Sequence, residues 1–256
     1  MLSKNLMSKT IKGGYKFWLG FSIPLSILLA ILILLANIVI NNPDLATGRT
    51  NPSTAVMEVL NAYYTMFAIL LPIIYIAAMA NKLIAAQVDK GSMANILSRP
   101  IKRSQVSLTQ ALYLMLSIIV MFALITATGV IMIFVTSVEF EINAFLLLNL
   151  GIACVHLAIS GIAFFASCIF NYSSQSLQVG AGLPVIFFLF NILAGFSDQV
   201  EMMKYFKYLT IFSLYSISDI MAYSSNIIWQ FLILSAIAVG GYIAGVLYFS
   251  KKDLPL

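Results

Sequence analysis

Long runs of apolar residues alternate with short polar segments along most of this chain. Each run is near the roughly 20 residues that an α-helix needs to cross the hydrocarbon core of a bilayer. Because a helix satisfies its own backbone hydrogen bonds, the pattern predicts an all-α integral membrane protein with six transmembrane helices. We expect residues 1–256 to form a single transmembrane domain. The predicted spans cover residues 17–40, 59–80, 107–135, 144–170, 177–195 and 227–250.

The composition supports the membrane assignment. Hydrophobic residues make up 61% of the chain and charged residues only 9%. Soluble domains carry roughly 25% charged residues, so no soluble core would hide this much apolar surface.

The N-terminal 16 residues combine Leu2, Leu6 and Ile11 with four lysines. This pattern favours a short interfacial helix whose lysines contact anionic lipid headgroups, and a disordered basic tail is the alternative. The apolar run that follows is too long for the core of a signal peptide, so we expect an uncleaved first transmembrane helix.

Charge predicts the orientation of the spans. With both termini, residues 81–106 and residues 171–176 on one side, that side holds eleven of the 14 Lys and Arg residues. Seven of the nine acidic residues fall on the other side. Basic loops face the cytoplasm, so we expect both termini there, in a bacterial plasma membrane. The positive net charge then reflects orientation and not nucleic-acid binding.

A polar island, residues 87–105, separates the second and third predicted spans. Its sequence predicts one short helix, which Pro100 ends because proline lacks a backbone N–H. By charge alone this is an ordinary basic cytoplasmic loop. A second interpretation is a helix that lies on the membrane surface and presents a face to a soluble partner.

The second interpretation has support from a resemblance. Gly91-Ser92, then Leu97-Ser98-Arg99-Pro100-Ile101 and Arg103, resemble the coupling-helix region of ABC-2 type permeases, the membrane subunits of ATP-binding-cassette exporters. That family often has glutamates at positions where this chain has Asp89, Lys90 and Asn95. The resemblance implies that the ATPase contacts a surface made of Asp89, Gly91, Ser92, Met93, Asn95, Ile96, Leu97 and Arg99.

The chain has no G-x-x-x-x-G-K-[ST] phosphate-binding loop, so any ATPase that drives it is a separate subunit. We therefore expect no enzyme activity and no cofactor in this chain, with ATP and Mg²⁺ held by the partner. One histidine makes a protein-only zinc site improbable on chemical grounds. No Asp or Glu lies deep in a predicted span, which argues against an ion-coupled carrier.

Four polar residues of the fourth span share one face. At 100° per residue they fall within about 40° of one another, in a stripe about 27 Å long. Polar groups cost free energy in lipid, so this face should point into the bundle. Two roles stay open, a lining for the transport path and hydrogen bonds that hold helices together. The residues are Asn149, His156, Ser160 and Ser167.

The segment before the last span predicts an amphipathic helix in the outer interface, with Asp198, Glu201, Lys204 and Lys207 on one side. A loop packed on the bundle is the alternative. The segment is similar to the short helices that precede the last span of ABC-2 permeases.

The resemblance implies a permease that works with an ABC ATPase and a second permease, as a homodimer or heterodimer. The chain resembles permeases of bacterial exporters that expel amphipathic peptides such as phenol-soluble modulins. The many Phe, Tyr and Met residues of the spans suit an amphipathic or lipid-like cargo, and membrane lipid is a further expected partner. The alternatives are an ion-coupled secondary carrier and a non-transporting immunity or scaffold protein.

Overall fold

The structure is a computed structural model, and it describes residues 3–42, 60–98, 101–137, 141–197 and 200–253. Within these residues it is helical and has no strand. The helices are α1 (Lys4–Asn41), a π-helical turn (Tyr63–Phe67), α2 (Ala68–Leu83), α3 (Ala85–Asp89), α4 (Ser92–Leu97), α5 (Arg103–Thr136), α6 (Ile142–Ile169), α7 (Ser173–Ala194), two 3₁₀ segments (Glu201–Leu209 and Ile211–Leu214), α8 (Ile217–Met221) and α9 (Asn226–Lys251).

Six of these helical stretches are long and apolar enough to cross a membrane. They are α1, the stretch Leu60–Asp89, α5, α6, α7 and α9. The prediction of an all-α protein with six spans is confirmed.

The N-terminal segment differs in detail from the expected interfacial helix. It is continuous with the first span, and α1 runs unbroken for 38 residues. Such a helix is about 57 Å long, almost twice the roughly 30 Å hydrocarbon thickness. Gly13 and Gly14 do not interrupt it, because tertiary contacts outweigh the weak helix propensity of glycine. Ser3 caps its start by accepting a hydrogen bond from the Leu6 N–H.

α6 is the centre of the bundle. Two-thirds of its most apolar 18-residue window is buried, as it is in the stretch Leu60–Asp89, against 17–33% for the other four spans. It packs against α2, α5, α7 and α9. The small residues along α6, several of them fully buried, allow these neighbours to approach closely.

The closest approach joins α6 and α9. A Cβ on Gly241 would lie 2.6 Å from the carbonyl carbon of Gly161, and a Cβ on Gly161 would lie 2.7 Å from the carbonyl oxygen of Ala238. The G-x-x-x-G pattern of Gly241 and Gly245 therefore faces α6 of the same chain, since Gly245 meets Phe164.

The segment before the last span forms short helices, as the resemblance implies. Glu201–Leu209 is a 3₁₀ helix and not the expected α-helix. Phe206 packs on Phe190 of α7 with ring centroids 5.1 Å apart, whereas Met202 and Leu209 are exposed. Asp198 lies outside the described residues.

The α6–α9 contact yields a test with a matched pair. Gly241→Ala forces two backbones apart and should destabilise the protein by about 1–3 kcal/mol, the usual cost of overpacking. Gly240→Ala adds a methyl where no atom lies within 4 Å, and it should be neutral or stabilising because alanine favours helix. Thermal unfolding in detergent measures both. Equal unfolding temperatures for the two variants would contradict the close contact.

Candidate functional site

A glycine turn separates the second span from the short helix of the polar island. Gly91 has φ +68°, the left-handed conformation in which a side chain is strained. Its N–H donates to the Val88 carbonyl oxygen at 3.0 Å, and its carbonyl oxygen accepts from Ala94. The requirement for glycine in this turn fixes the direction in which α4 leaves the bundle.

α4 presents a mixed surface. Ser92 and Asn95 are exposed, and Ile96 and Leu97 are half-buried against the core. Met93 is 0% exposed, so it holds α4 onto the bundle from within and offers no surface to a partner. Arg99 lies outside the described residues.

Asp89 joins the polar island to α7. Its carboxylate accepts a hydrogen bond from the Ser173 N–H at 3.1 Å, and Asn81 donates to the Ser173 hydroxyl at 2.7 Å. The first N–H groups of a helix lack partners within it, and the helix dipole favours an anion there. Asp89 therefore caps the start of α7.

The same end of the bundle carries a second tie. Lys252 donates to the carbonyl oxygens of Cys168 (3.0 Å) and Ile169 (2.6 Å), the last turn of α6. Arg103 donates to the Lys252 carbonyl oxygen at 2.7 Å. Burial lowers the pKa of Lys252, and its hydrogen bonds complement the negative end of the α6 dipole. The start of α5 and the end of α9 are thus fastened to α6.

The polar stripe of α6 is buried, and its four side chains are at most 2% exposed. Each meets a group on another helical element of the same chain. Asn149 donates to the Tyr64 hydroxyl (2.7 Å), His156 Nε2 lies 3.2 Å from the Ile69 carbonyl oxygen, the Ser160 and Tyr242 hydroxyls are 2.7 Å apart, and the Ser167 and Ser176 hydroxyls are 2.8 Å apart.

These contacts describe interhelical hydrogen bonding, one of the two roles open from the sequence. The stripe ties α6 to the second span, to α9 and to α7 over most of its length. A role in the transport path stays a prediction.

A cavity of about 490 Å³ lies at the other end of the bundle from α4. The second span, the end of α7 and the segment before α9 form its walls. The lining combines amides and hydroxyls with aromatic and aliphatic side chains. It consists of Asn61, Tyr64, Thr65, Ile69, Asn191, Phe212, Tyr215, Ile217, Ser218 and Met221.

Sequence reasoning gave Asn61 and Asn191 no role, yet this cavity brings both to one site. The sequence indicated only that each is a polar residue in a predicted span, near the end that faces the same side of the membrane. The π-helical turn is a second feature without a sequence signal. It holds Tyr64 fully buried at the cavity wall, where Asn149 fixes its hydroxyl. Such turns within helices often occur at functional sites.

The described residues include no group of three His, Cys, Asp or Glu placed to hold a metal ion.

The family model described as ABC-2 family transporter protein matches residues 6–254, nearly the whole chain. No curated protein matches the chain. The chain is therefore a multi-pass membrane protein that belongs to the ABC-2 transporter family, whose members are the membrane subunits of ABC transporters and work with a separate ATPase subunit.

Proposed function

We propose that this chain is the permease of a bacterial ABC exporter that moves amphipathic peptides out of the cell. A separate ATPase drives it through residues 89–100, and both termini face the cytoplasm of a plasma-membrane protein. The observation that carries the proposal is the connection of the polar island to two walls of the 490 Å³ cavity, the second span and α7. We call this cavity the outer cavity. The eleven Lys and Arg residues on the α4 side support the orientation.

The connection runs through two helices. α4 follows the second span directly after Gly91, and that span supplies Asn61 and Thr65 to the cavity. Asp89 caps α7, and α7 supplies Asn191. A displacement of α4 by the ATPase therefore moves the second span and α7, two of the three walls, from their cytoplasmic ends. Packed helices transmit such shifts because interiors have low compressibility.

The cavity chemistry suits an amphipathic cargo. Aromatic and aliphatic side chains offer an apolar face, while amides and hydroxyls offer hydrogen bonds, and none of the described residues that line the cavity is charged. Its volume, about 490 Å³, is close to the roughly 500 Å³ of one turn of an α-helix. One chain thus accommodates a short part of a peptide, and we propose that a second permease completes the path.

Asn149 takes part in this path by fixing Tyr64 at the cavity wall. A path role for His156, Ser160 and Ser167 remains part of the proposal, with support only from their shared face on α6.

The ATPase contact is tested at Leu97, whose exposed part is apolar. Leu97→Asp should reduce the amount of ATPase that co-purifies by at least ten-fold, because a buried unpaired charge costs several kcal/mol at an interface. Leu209→Asp is the control, since it adds the same charge to an exposed leucine at the other end of the bundle.

The measurement is a pull-down of the tagged protein from native membranes under gentle extraction. If neither variant co-purifies with an ATPase and transport depends on an ion gradient, the chain is an ion-coupled carrier and not the permease of an ABC exporter. Unchanged ATPase recovery with Leu97→Asp would remove α4 as the contact.

The cargo path is tested at Asn61. Asn61→Trp fills the cavity and should lower ATP-dependent uptake of a fluorescent amphipathic helical peptide by inside-out vesicles at least ten-fold, while ATPase binding is retained. Ala62→Trp is the control, because Ala62 is exposed on the same turn and does not line the cavity. Equal uptake by the two variants would contradict a path through this cavity.

A further inference from the structure

A second cavity, of about 630 Å³, lies beside α4 at the proposed cytoplasmic end. It is enclosed by the first turns of α1, the end of the second span, α4 and the start of α5. Ser92, Asn95 and Ile96 of its lining belong to the proposed ATPase contact, and the other lining residues have no functional role described above. Its walls include the apolar side chains of Leu6, Met79 and Leu83, and two lysines, Lys9 and Lys82, lie at its edge.

The cavity has an excess of positive charge. No Asp or Glu occurs among the described residues that line it. The Lys82 ammonium donates to the Gly13 carbonyl oxygen at 3.0 Å, which holds it in place and leaves two of its three N–H donors for another acceptor. Lys9 is exposed and brings a second ammonium from α1. Two cations without a carboxylate partner attract an anion.

A buried amide adds a hydrogen-bonding group. Gln87 lines the cavity, and its side-chain Oε1 is buried without a hydrogen-bond partner. Such a group costs about 1–3 kcal/mol unless a partner is supplied. The oxygen and nitrogen of an amide exchange places by a 180° rotation, and a turn of the Gln87 side chain toward the cavity would bring its N–H to a bound acceptor.

We propose that this cavity binds a phosphate-bearing anion, with Lys9 and Lys82 as the cations and Gln87 as a hydrogen-bonding partner. Anionic phospholipid and inorganic phosphate share this chemistry. Ile96 and Ile101, which line the cavity and are partly exposed, favour the phospholipid, because its glycerol and acyl groups cover apolar surface that free phosphate leaves in water. Basic pockets between transmembrane helices bind such headgroups. The proposal does not rest on export.

The site would link α1 to the second span next to α4. A bound headgroup contacts Lys9 on α1 and Lys82 on α2, and Ser92 and Asn95 of α4 form part of the same lining. Occupancy therefore stabilises the position of the polar island.

The test uses the full chain, purified in detergent and depleted of lipid. Phosphatidylglycerol, phosphatidylcholine and inorganic phosphate are added separately, and binding is followed by native mass spectrometry for lipid and by thermal unfolding for all three. We expect phosphatidylglycerol to bind and to raise the unfolding temperature, whereas phosphatidylcholine does neither. Lys9→Gln with Lys82→Gln should weaken phosphatidylglycerol binding about ten-fold or more.

The matched control is Lys16→Gln with Lys90→Gln. It removes the same charge from exposed residues at the same end of the bundle, outside the cavity lining. Lys9→Gln alone, at an exposed position, is the second variant if loss of the Lys82 contact prevents folding.

Each outcome decides the proposal. Stabilisation by phosphatidylglycerol alone, lost with Lys9 and Lys82, supports the lipid site. Equal stabilisation by inorganic phosphate with the same lysine dependence supports the anion site and assigns it to soluble phosphate. Equal losses in the control pair, or no effect of either anion, would overturn it.

Discussion

The architecture depends on the burial of polar side chains along α6, where the neighbouring helices shield them from solvent. A buried polar group without a partner costs free energy, and in a hydrocarbon layer the partner must come from another helix. The Asn149 amide nitrogen, His156, Ser160 and Ser167 meet this requirement with groups from the second span, α9 and α7, whereas Asn149 Oδ1 is buried without a partner. Glycine contacts bring α9 within reach of these hydrogen bonds. The positions of three spans around α6 are therefore determined together.

The two ends of the bundle are built differently. At the α4 end, side chains cap helix termini and hold backbone carbonyls, as Asp89 does for α7 and Lys252 does for α6. At the other end, short 3₁₀ segments and α8 surround the outer cavity. The second span and α7 run from one end to the other, so they connect a tightly fastened region to one built from short elements. This asymmetry suits a protein that binds a driving subunit at one end and changes conformation at the other.

Hydropathy predicted the number and type of the spans, because a run of about 20 apolar residues is rarely accommodated by any structure other than a transmembrane helix. Helical geometry alone placed the four polar residues of α6 on one face. Their partners were beyond prediction, since Tyr64 and Tyr242 are distant in sequence and meet α6 only in the packed bundle. The burial of Met93 and the 3₁₀ geometry of Glu201–Leu209 likewise depend on tertiary contacts. Asn61 and Asn191 gained a shared site only once α7 was placed beside the second span.

The cations that donate hydrogen bonds to backbone carbonyls also indicate where one surface of the apolar layer lies. Lys82, Arg103 and Lys252 engage carbonyl groups at one end of the bundle. Charged groups avoid hydrocarbon, so their level marks one surface of the apolar layer. A layer about 30 Å thick, measured from Ile169 at 1.5 Å per residue, ends near Asn149. The first two turns of α6 then stand among headgroups on the far side, where the Tyr215 hydroxyl donates to Leu148. The cavity lined by Asn61 and Asn191 consequently lies beside the headgroups, so a molecule bound there would sit at the membrane–water interface.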